Sequence, residues 1–295
     1  MTPSKVVLIT GCSSGIGQAT ARHLNKRGWT VYATARRRES LADLQEAGCQ
    51  TLALDVTDEA SMRDAVEEVQ AREGVVGVLV NNAGYSQSGA IERVPMDAVR
   101  AQFETNVFGL ARMCQLVLPG MRAQGAGKIV NLSSMGGRFT FPGGGYYHAS
   151  KHAVEAISDA LRFEVQGFGV QVIVVEPGLI RTRFGEAAVG SMTAPDGGAH
   201  DEADPYEEFN VAVGSNTVEA YEVGPIARLG GPPEAVARKI EKAICANRPR
   251  TRYTVTPSAK VLLGLHAMLP DRGWDAFVSS QFPTPGTSAK GSAKT

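Results

Sequence analysis

The fold class is indicated by residues 6–17, whose sequence is Val6-Val7-Leu8-Ile9-Thr10-Gly11-Cys12-Ser13-Ser14-Gly15-Ile16-Gly17. This stretch reads as a short apolar and β-branched run, then a glycine-rich loop, then the first turn of a helix. Backbone N–H groups at such a helix start, together with the positive end of the helix dipole, can hold a phosphate group. The stretch therefore predicts a strand, loop and helix that bind the phosphates of a ligand.

The spacing of the loop glycines leaves two other interpretations open. Gly11, Gly15 and Gly17 follow GxxxGxG rather than the commoner dinucleotide pattern GxGxxG, so a glycine-rich turn without a ligand is one alternative. The residues 11–15 also fit G-x-S-x-G, the nucleophile elbow of α/β-hydrolases. That elbow needs earlier strands and an upstream oxyanion loop. Only ten residues precede Gly11, so the order of the chain argues against a hydrolase.

Outward from this loop, short apolar runs alternate with segments of helical periodicity as far as about Glu176. This alternation is typical of successive βαβ units around a parallel sheet, whose strands are nearly all apolar because helices cover both faces. The predicted strands are Val6–Thr10, Thr30–Ala35, Thr51–Leu54, Val78–Asn81, Lys128–Leu132, Val170–Val175 and Arg252–Val255. The fold class is α/β, a doubly wound parallel sheet of about seven strands in a single domain.

The organisation of the chain follows from changes in composition. Residues 1–255 are predicted to form the catalytic, nucleotide-binding domain, which includes a lid insert at 184–231 that is rich in glycine, proline and acidic residues. A helix is expected to begin near Pro232-Pro233-Glu234. Residues 256–282 are predicted to form a helical extension, and the Pro-, Gly-, Ser- and Lys-rich residues 283–295 a disordered tail.

Composition excludes several classes of function. The 295 residues include 30 basic and 30 acidic side chains, so no broad electrostatic field attracts nucleic acid or anionic membranes. Apolar runs fall far short of the ~20 residues of a membrane span. Without a CxxC pair or a secretory signal segment, we expect reduced thiols and a cytoplasmic protein. The histidines show no metal-ligand spacing beyond His148 and His152, so we expect no metal.

Tyr147 and Lys151, in the segment YHASK, lie four residues apart on one face of a predicted helix. On its own such a pair is usually a contact on a helix surface. Here Ser134 ends a predicted strand thirteen residues earlier, Asn106 lies in an earlier helix, and Pro177-Gly178 ends another strand. The carboxyl ends of parallel strands meet at one edge of the sheet, where open α/β folds bind ligands.

With these motifs the chain resembles the short-chain dehydrogenase/reductase family, from Lys5 to about Tyr253. The motifs that match are TGxxxGIG at 10–17, Asn82-Ala83-Gly84, Asn106, Ser134, YxxxK at 147–151, and Pro177-Gly178 with Thr182. The resemblance implies a Rossmann-like oxidoreductase that transfers a hydride between a nicotinamide cofactor and a carbonyl or secondary alcohol, its small-molecule substrate. It also implies homodimers or homotetramers, in which the helices that begin near Ala98 and Tyr146 could pack between subunits.

The predicted catalytic residues are Asn106, Ser134, Tyr147 and Lys151. A tyrosine has a pKa of ~10, and a nearby lysine ammonium favours the phenolate, so we expect Lys151 to lower the pKa of Tyr147 and make it the acid or base. Ser134 would hydrogen-bond the reacting oxygen. The resemblance further implies that Lys151 holds the ribose hydroxyls of the nicotinamide and that Asn106 positions a water for a proton relay.

The residues expected to contact the cofactor lie in the loops of the same edge. They are Gly11, Ser13, Ser14, Gly15, Ile16, Gly17, Arg36, Asp55, Val56, Asn82, Ala83, Gly84, Tyr147, Lys151, Pro177, Gly178, Ile180 and Thr182. The resemblance places Asp55 and Val56 by the adenine and Asn82 by the adenosine ribose. A helix cap at Asp55 and a plain strand end at Asn82 are the alternatives.

The segment Thr34-Ala35-Arg36-Arg37-Arg38 indicates which nicotinamide cofactor is used. NAD-binding folds usually place an acidic residue here, about twenty residues after the glycine loop, where it hydrogen-bonds the ribose hydroxyls. This segment has no carboxylate. Arg36 could instead pair with a 2′-phosphate, with Ser13 as a second donor. We therefore expect NADP(H) rather than NAD(H).

Apolar residues near these motifs predict the substrate. Met135, Phe139, Phe141, Tyr85, Leu179 and parts of the insert are expected to form a wall that suits a bulky, lipophilic carbonyl or alcohol. The alternative is that several of these side chains belong to the core. The VYATAR segment at 31–36, the long insert and residues 248–253 resemble the hydroxysteroid and retinol dehydrogenase branch, which implies a steroid-like or retinoid-like substrate. The alternatives are a non-catalytic NADP(H)-sensing protein on the same fold and an epimerase or dehydratase of the same family.

Overall fold

The computed structural model describes residues 3–192, 204–224 and 226–286, with the backbone alone at 222 and 223. Its sheet has seven parallel strands in the order β3-β2-β1-β4-β5-β6-β7. The strands are β1 (Val6–Ile9), β2 (Thr30–Ala35), β3 (Gln50–Ala53), β4 (Val78–Asn81), β5 (Gly127–Leu132), β6 (Val170–Glu176) and β7 (Arg252–Thr254). The predicted strands are confirmed to within one residue at each end, and so is the doubly wound fold.

Helices cover both faces of the sheet. They are α1 (Gly15–Lys26), α2 (Ala42–Glu46), α3 (Glu59–Glu73), α4 (Met96–Phe103), α5 (Leu110–Gln124), α6 (Gly145–Val165), α7 (Phe184–Gly190), α8 (Glu207–Val218), α9 (Pro233–Cys245), α10 (Pro257–Met268) and α11 (Asp271–Ser279). A π-helical turn, Glu104–Gly109, joins α4 to α5. No helix in the described part of the chain is both long and apolar enough to cross a membrane.

Each strand feeds two hydrophobic cores because its side chains alternate between the faces. In β1, Val7 and Ile9 enter a core shared with α1 and α9, while Val6 and Leu8 enter a second core shared with α3, α5 and α6. Ile9 lies beside Ala33 of β2 and Val80 of β4. The sequence order of the strands reverses at β1 and β4, so the glycine loop leaves β1 at the position where such sheets bind ligands.

The predicted lid insert contains α7 and α8 in its described parts, while residues 193–203 and 225 lie outside them. The predicted helical extension contains α10 and α11. Most of the predicted disordered tail, from residue 287, also lies outside the described residues. The boundaries of the domain, the extension and the tail stay predictions.

Lys128 is a buried cation within the central strand β5. Its side chain is 4% exposed, and Nζ donates to the carbonyl oxygens of Ile244 at 2.7 Å and Ala246 at 2.6 Å. These carbonyls belong to the last turn of α9 and the residue after it, where a helix has no intrahelical donors left. Lys128 therefore donates hydrogen bonds to carbonyl groups at the C-terminal end of α9 and so fixes that end against the sheet.

Replacing Lys128 with methionine keeps much of the apolar stem and removes these donors. We expect Lys128→Met to lower the free energy of unfolding by about 1–3 kcal/mol, because two carbonyl groups lose their partner. Chemical denaturation measures this change. Lys242→Met is the matched control, since Lys242 is exposed on the same helix and should change stability by less than about 0.5 kcal/mol. Equal effects of the two substitutions would contradict the capping function of Lys128.

Candidate active site

The glycine loop that follows β1 is held in a conformation that needs glycine. Gly11 and Gly15 have φ of 72° and 59°, in the left-handed region that side chains with a Cβ rarely adopt. A Cβ at Gly11 would lie 2.8 Å from Cα of Ala83, and one at Gly17 would overlap the carbonyl oxygen of Gly11. The glycines therefore allow the loop to turn closely over the end of β4.

Asn82 ties this loop to the end of β4. Its Nδ2 donates to the carbonyl oxygens of Thr10 and Gly11, both at 2.9 Å. In return, Oγ1 of Thr10 accepts hydrogen bonds from the backbone N–H groups of Asn82 and Ala83, both at 3.0 Å. The Asn-Ala-Gly motif thus shapes the loop, and the amide hydrogens of Asn82 are committed to the protein itself.

Ser134, Tyr147 and Lys151 meet at the carboxyl end of β5. Ser134 follows the strand and its Oγ accepts a hydrogen bond from the N–H of Gly136 at 3.1 Å, while α6 carries Tyr147 in its first turn. Lys151, one turn later, donates from Nζ to the carbonyl oxygen of Leu132 at 2.8 Å. Its Nζ lies 5.9 Å from the centre of the Tyr147 ring. The structure thus brings the predicted trio together.

Burial controls the ionisation of Tyr147 and Lys151. It raises the pKa of Tyr147 to about 12, against the opposing effect of a hydrogen bond with Ser134. Burial also lowers the pKa of Lys151 to about 8, and the charge of Glu155 opposes that change. The prediction of a lowered Tyr147 pKa is therefore wrong, because the effect of burial on the phenol outweighs the effects that favour the phenolate. At neutral pH Tyr147 is a protonated acid.

Asn106 lies in the π-helical turn and is buried behind the site. Its Oδ1 accepts from the N–H of Tyr85 at 3.1 Å, and its Nδ2 donates to the carbonyl oxygen of Tyr85 at 2.9 Å and to Oγ of Ser150 at 3.1 Å. The side chain does not line the cavity described below. Asn106 therefore fixes the Tyr85 loop against α6, and its function in a water relay stays a prediction.

A cavity of ≈ 1240 Å³ runs along this edge of the sheet. Every predicted cofactor residue except Gly17 lines it, and so does Ser134. Thr182 lies next to the glycine loop, where a Cβ at Gly15 would be 3.4 Å from its Cγ2. Asp55 also forms a turn in which Oδ1 accepts from N and Oγ1 of Thr57 at 2.9 and 2.8 Å. One continuous groove can therefore hold an extended dinucleotide and bring its far end to Tyr147.

Four of the five residues named for the predicted substrate wall do not line the cavity, and only Tyr85 does. The ring centres of Phe139 and Phe141 lie 5.3 and 5.6 Å from that of Trp274 in α11, and Met135 packs against the same cluster. Leu179 is buried, with 6% of its surface exposed. The alternative, a position in the core, therefore holds for Met135, Phe139 and Phe141, because α10 and α11 return to the turn after β5.

Two aromatic residues of the insert line the cavity at its catalytic end, as the sequence predicts for parts of the insert. The ring centre of Phe184 lies 5.4 Å from that of Tyr147. Tyr221 also lines the cavity and packs over Gly185, where an added Cβ would lie 3.2 Å from its ring. No motif in the sequence distinguishes these two residues from the other aromatic residues of the insert, Tyr206 and Phe209.

Among the residues that the structure describes, no three histidine, cysteine, aspartate or glutamate side chains lie together as ligands of a metal ion would. The family model for short chain dehydrogenases matches residues 5–191. The chain belongs to the short chain dehydrogenase family. It is accordingly an oxidoreductase acting on a carbonyl or alcohol group.

Proteins that match nearly the whole length of the chain agree with this assignment. An NADPH-dependent 3-dehydrocapnine reductase from Ornithobacterium rhinotracheale is 36% identical over 92% of this chain and 95% of its own length. A 3-ketodihydrosphingosine reductase from Bacteroides thetaiotaomicron is 36% identical over 90% and 94%. The crystal structure of a short-chain dehydrogenase from Streptomyces avermitilis is similar with a TM-score of 0.73 and 36% identity, covering 94% of this chain and 96% of that one.

Asn82→Ala tests the tie between the glycine loop and β4. Two loop carbonyls lose their donor, so we expect the free energy of unfolding to fall by about 1–3 kcal/mol. A less ordered loop should also bind NADPH about tenfold more weakly, which corresponds to about 1.4 kcal/mol. Denaturation and titration calorimetry measure the two effects. The control is Asn247→Ala at an exposed position, and an Asn82→Ala protein that matches it in both measurements would refute the assignment.

Proposed function

We propose that this enzyme uses NADPH to reduce a ketone on a bulky, lipophilic substrate to a secondary alcohol. The observation that supports it most is a half-buried Tyr147 with a raised pKa, beside Ser134 in a groove that is also lined by the glycine loop and Arg36. A proton donor and a dinucleotide-sized groove are what a carbonyl reductase needs.

Arg36 supports the choice of NADPH. It is exposed, lines the groove directly after β2, and forms no ion pair with the acidic residues that the structure describes. Ser13 lines the same part of the groove. A guanidinium in that position can form charge-assisted hydrogen bonds with a 2′-phosphate, which NADH does not have. The name of the NADPH-dependent relative agrees with this choice.

Ser134, Tyr147 and Lys151 have separate functions in the proposed reduction. The bound cofactor supplies a hydride to the carbonyl carbon. Ser134 and Tyr147 donate hydrogen bonds to the carbonyl oxygen and so polarise it. As negative charge develops on that oxygen, Tyr147 transfers its phenolic proton to it. Lys151, charged below a pH of about 8, favours the phenolate that is left behind.

The ionisation of Tyr147 favours the direction of reduction. A phenol with a pKa of about 12 is protonated throughout the physiological range, so it is ready to donate to an alkoxide. Oxidation of an alcohol would need the phenolate as a base, and this form becomes more abundant only as the pH rises. We therefore infer that the reductive reaction is the faster one near neutral pH.

The catalytic end of the groove supports a lipophilic substrate. Tyr85, Phe184 and Tyr221 present aromatic surface there, and such walls bind apolar groups while a few polar atoms fix their orientation. The two relatives named for 3-dehydrocapnine and 3-ketodihydrosphingosine support the reduction of a ketone. The resemblance to the hydroxysteroid and retinol dehydrogenase branch implies a steroid-like or retinoid-like ketone, which is also a bulky, lipophilic substrate.

A panel of ketones tests the proposed function. We expect NADPH oxidation, followed at the nicotinamide absorbance, to be faster with long-chain and steroid-sized ketones than with small polar ones. Tyr147→Phe removes the proton donor and should reduce kcat at least 100-fold, with unchanged NADPH affinity. Tyr146→Phe is the matched control because Tyr146 is the adjacent phenol. Tight NADPH binding without turnover of any ketone would instead favour the NADP(H)-sensing protein.

Arg36→Asp tests the choice of cofactor. It replaces an attraction for the 2′-phosphate with repulsion, so kcat/KM for NADPH should fall about 100-fold while that for NADH changes little or rises. The ratio of the two constants, measured with one ketone, is the readout. Arg37→Asp is the control, because Arg37 is exposed but does not line the groove. An unchanged ratio in Arg36→Asp would mean that Arg36 does not select the cofactor.

A further inference from the structure

A buried cluster of charged side chains lies directly behind the catalytic trio. Glu155 of α6 and Glu176 at the end of β6 are 6% and 2% exposed. Arg252 of β7 lies between them, with Nε 3.0 Å from Oε2 of Glu155 and 3.5 Å from Oε1 of Glu176. Buried carboxylates are costly unless they are paired. The family motifs in the sequence do not include this cluster, and the proposed chemistry does not use it.

The two glutamates share Arg252 but differ in their other partners. Nη1 of Arg138 lies 3.2 Å from Oε1 of Glu176, and Oγ1 of Thr254 donates to Oε2 of Glu176 at 2.9 Å. The ion pair of Glu155 is with Arg252, which also pairs through Nη2 with Asp159 at 2.6 Å. Glu176 is thus neutralised by two arginines, whereas Glu155 shares a single arginine with two other carboxylates.

Glu155 is the member of the cluster next to Lys151. It follows Lys151 by four residues, so the two side chains lie on one face of α6, and both are buried. Gly137, in the turn after Ser134, allows this part of α6 to approach the end of β5. A Cβ at Gly137 would lie 2.6 Å from Oγ of Ser133, 3.0 Å from the carbonyl oxygen of Lys151 and 3.1 Å from Cγ of Glu155.

Among the described residues, Glu155 is the charged side chain that acts on the ionisation of Lys151. From β5 it meets the neutral carbonyl of Leu132, and after β4 its Nζ lies 3.6 Å from where a Cβ of Gly84 would be. On α6 the titratable neighbours are Tyr147 and Glu155. Burial lowers the pKa of Lys151 to about 8, and the Glu155 charge is what opposes it.

The groups that face Glu155 come from three elements. They are Arg252 of β7, which also pairs with Asp159, Glu176 of β6, and Lys151 of its own helix α6. Burial raises the pKa of Glu155, as does the charge of Glu176, while a hydrogen bond with Ser133 and the pairing with Arg252 oppose that rise. Arg252 therefore favours the ionised form of Glu155 at the position next to Lys151.

We propose that Glu155, held by Arg252, is a positioning residue whose buried negative charge keeps the Lys151 ammonium in the Tyr147 site. It touches neither substrate nor cofactor and acts through Lys151. The inference rests on the proposed function for its effect on turnover. The effect of Glu155 on the ionisation of Lys151 can be observed without any turnover. Experiments can therefore contradict this inference and the proposed function independently.

Glu155→Gln tests this inference with little change in shape. In protein labelled with ¹³C at lysine Cε, the Lys151 signal is identified by its loss in Lys151→Met, and its chemical shift is followed against pH. Removing an adjacent opposite charge should lower the midpoint of this titration by about one pH unit. Asp159→Asn is the matched control. It removes the other carboxylate bonded to Arg252, 47% exposed and two turns from Lys151, and should leave the midpoint unchanged.

Turnover provides the second readout. Because Lys151 loses its proton as the pH rises, the alkaline limb of kcat/KM for ketone reduction should move to lower pH in Glu155→Gln. With a shift of about one unit, the rate at pH 8 would be about fivefold below that of the wild type, and the rate at pH 6 nearly equal. Glu155→Asp, which retains the charge, should restore most of the wild-type profile.

The outcomes distinguish the two proposals. A lower Lys151 midpoint in a protein that reduces no ketone of the panel would support the inference and overturn the proposed function. An unchanged midpoint, or a rate lowered equally at every pH, would overturn the inference. If Glu155→Gln does not fold because Arg252 is left unpaired, Glu155→Gln/Arg252→Gln removes both charges. The same downward shift is expected in that double variant, and its absence would count against the inference.

Discussion

The parallel pairing of β1 with β4 is the constraint on which the site depends. The sequence order of the strands reverses at this point, so the segments that follow β1 and β4 run in opposite directions and leave a groove between them. The exchange of hydrogen bonds between Thr10 and Asn82 closes the base of that groove. Every other functional element is placed relative to it, because β5 and β6 extend the same sheet edge to Ser134 and Pro177.

The sequence predicts the parts of the molecule that depend on local pattern. Both faces of the sheet are covered, so each strand appears as an apolar run whose ends can be located to within one residue. The cofactor residues are predictable for a related reason. They follow strand ends, and strand ends of a parallel sheet lie together, so Arg36, Asn82 and Pro177 could be assigned to one groove before any contact was known.

The sequence fails where distant segments determine the environment. Phe139 and Phe141 follow Ser134 closely, and proximity in the chain suggested a substrate wall. Their partner Trp274 lies more than 130 residues later and makes them a core. The pKa of Tyr147 has the same origin, since motif spacing places Lys151 nearby but does not reveal that desolvation of the phenol raises its pKa. Asn106 is likewise defined by its contacts with the Tyr85 loop and Ser150.

The two sides of the catalytic end have different origins. Ser134, Tyr147 and Lys151 are fixed by β5 and α6, which belong to the packed sheet, whereas Phe184 and Tyr221 come from an insert that contributes no strand to the described sheet. The reactive groups and the surface facing the substrate are therefore carried by separate pieces of chain. Evolution, or an engineer, could exchange the insert to accept a ketone of another shape while the proton donor keeps its place.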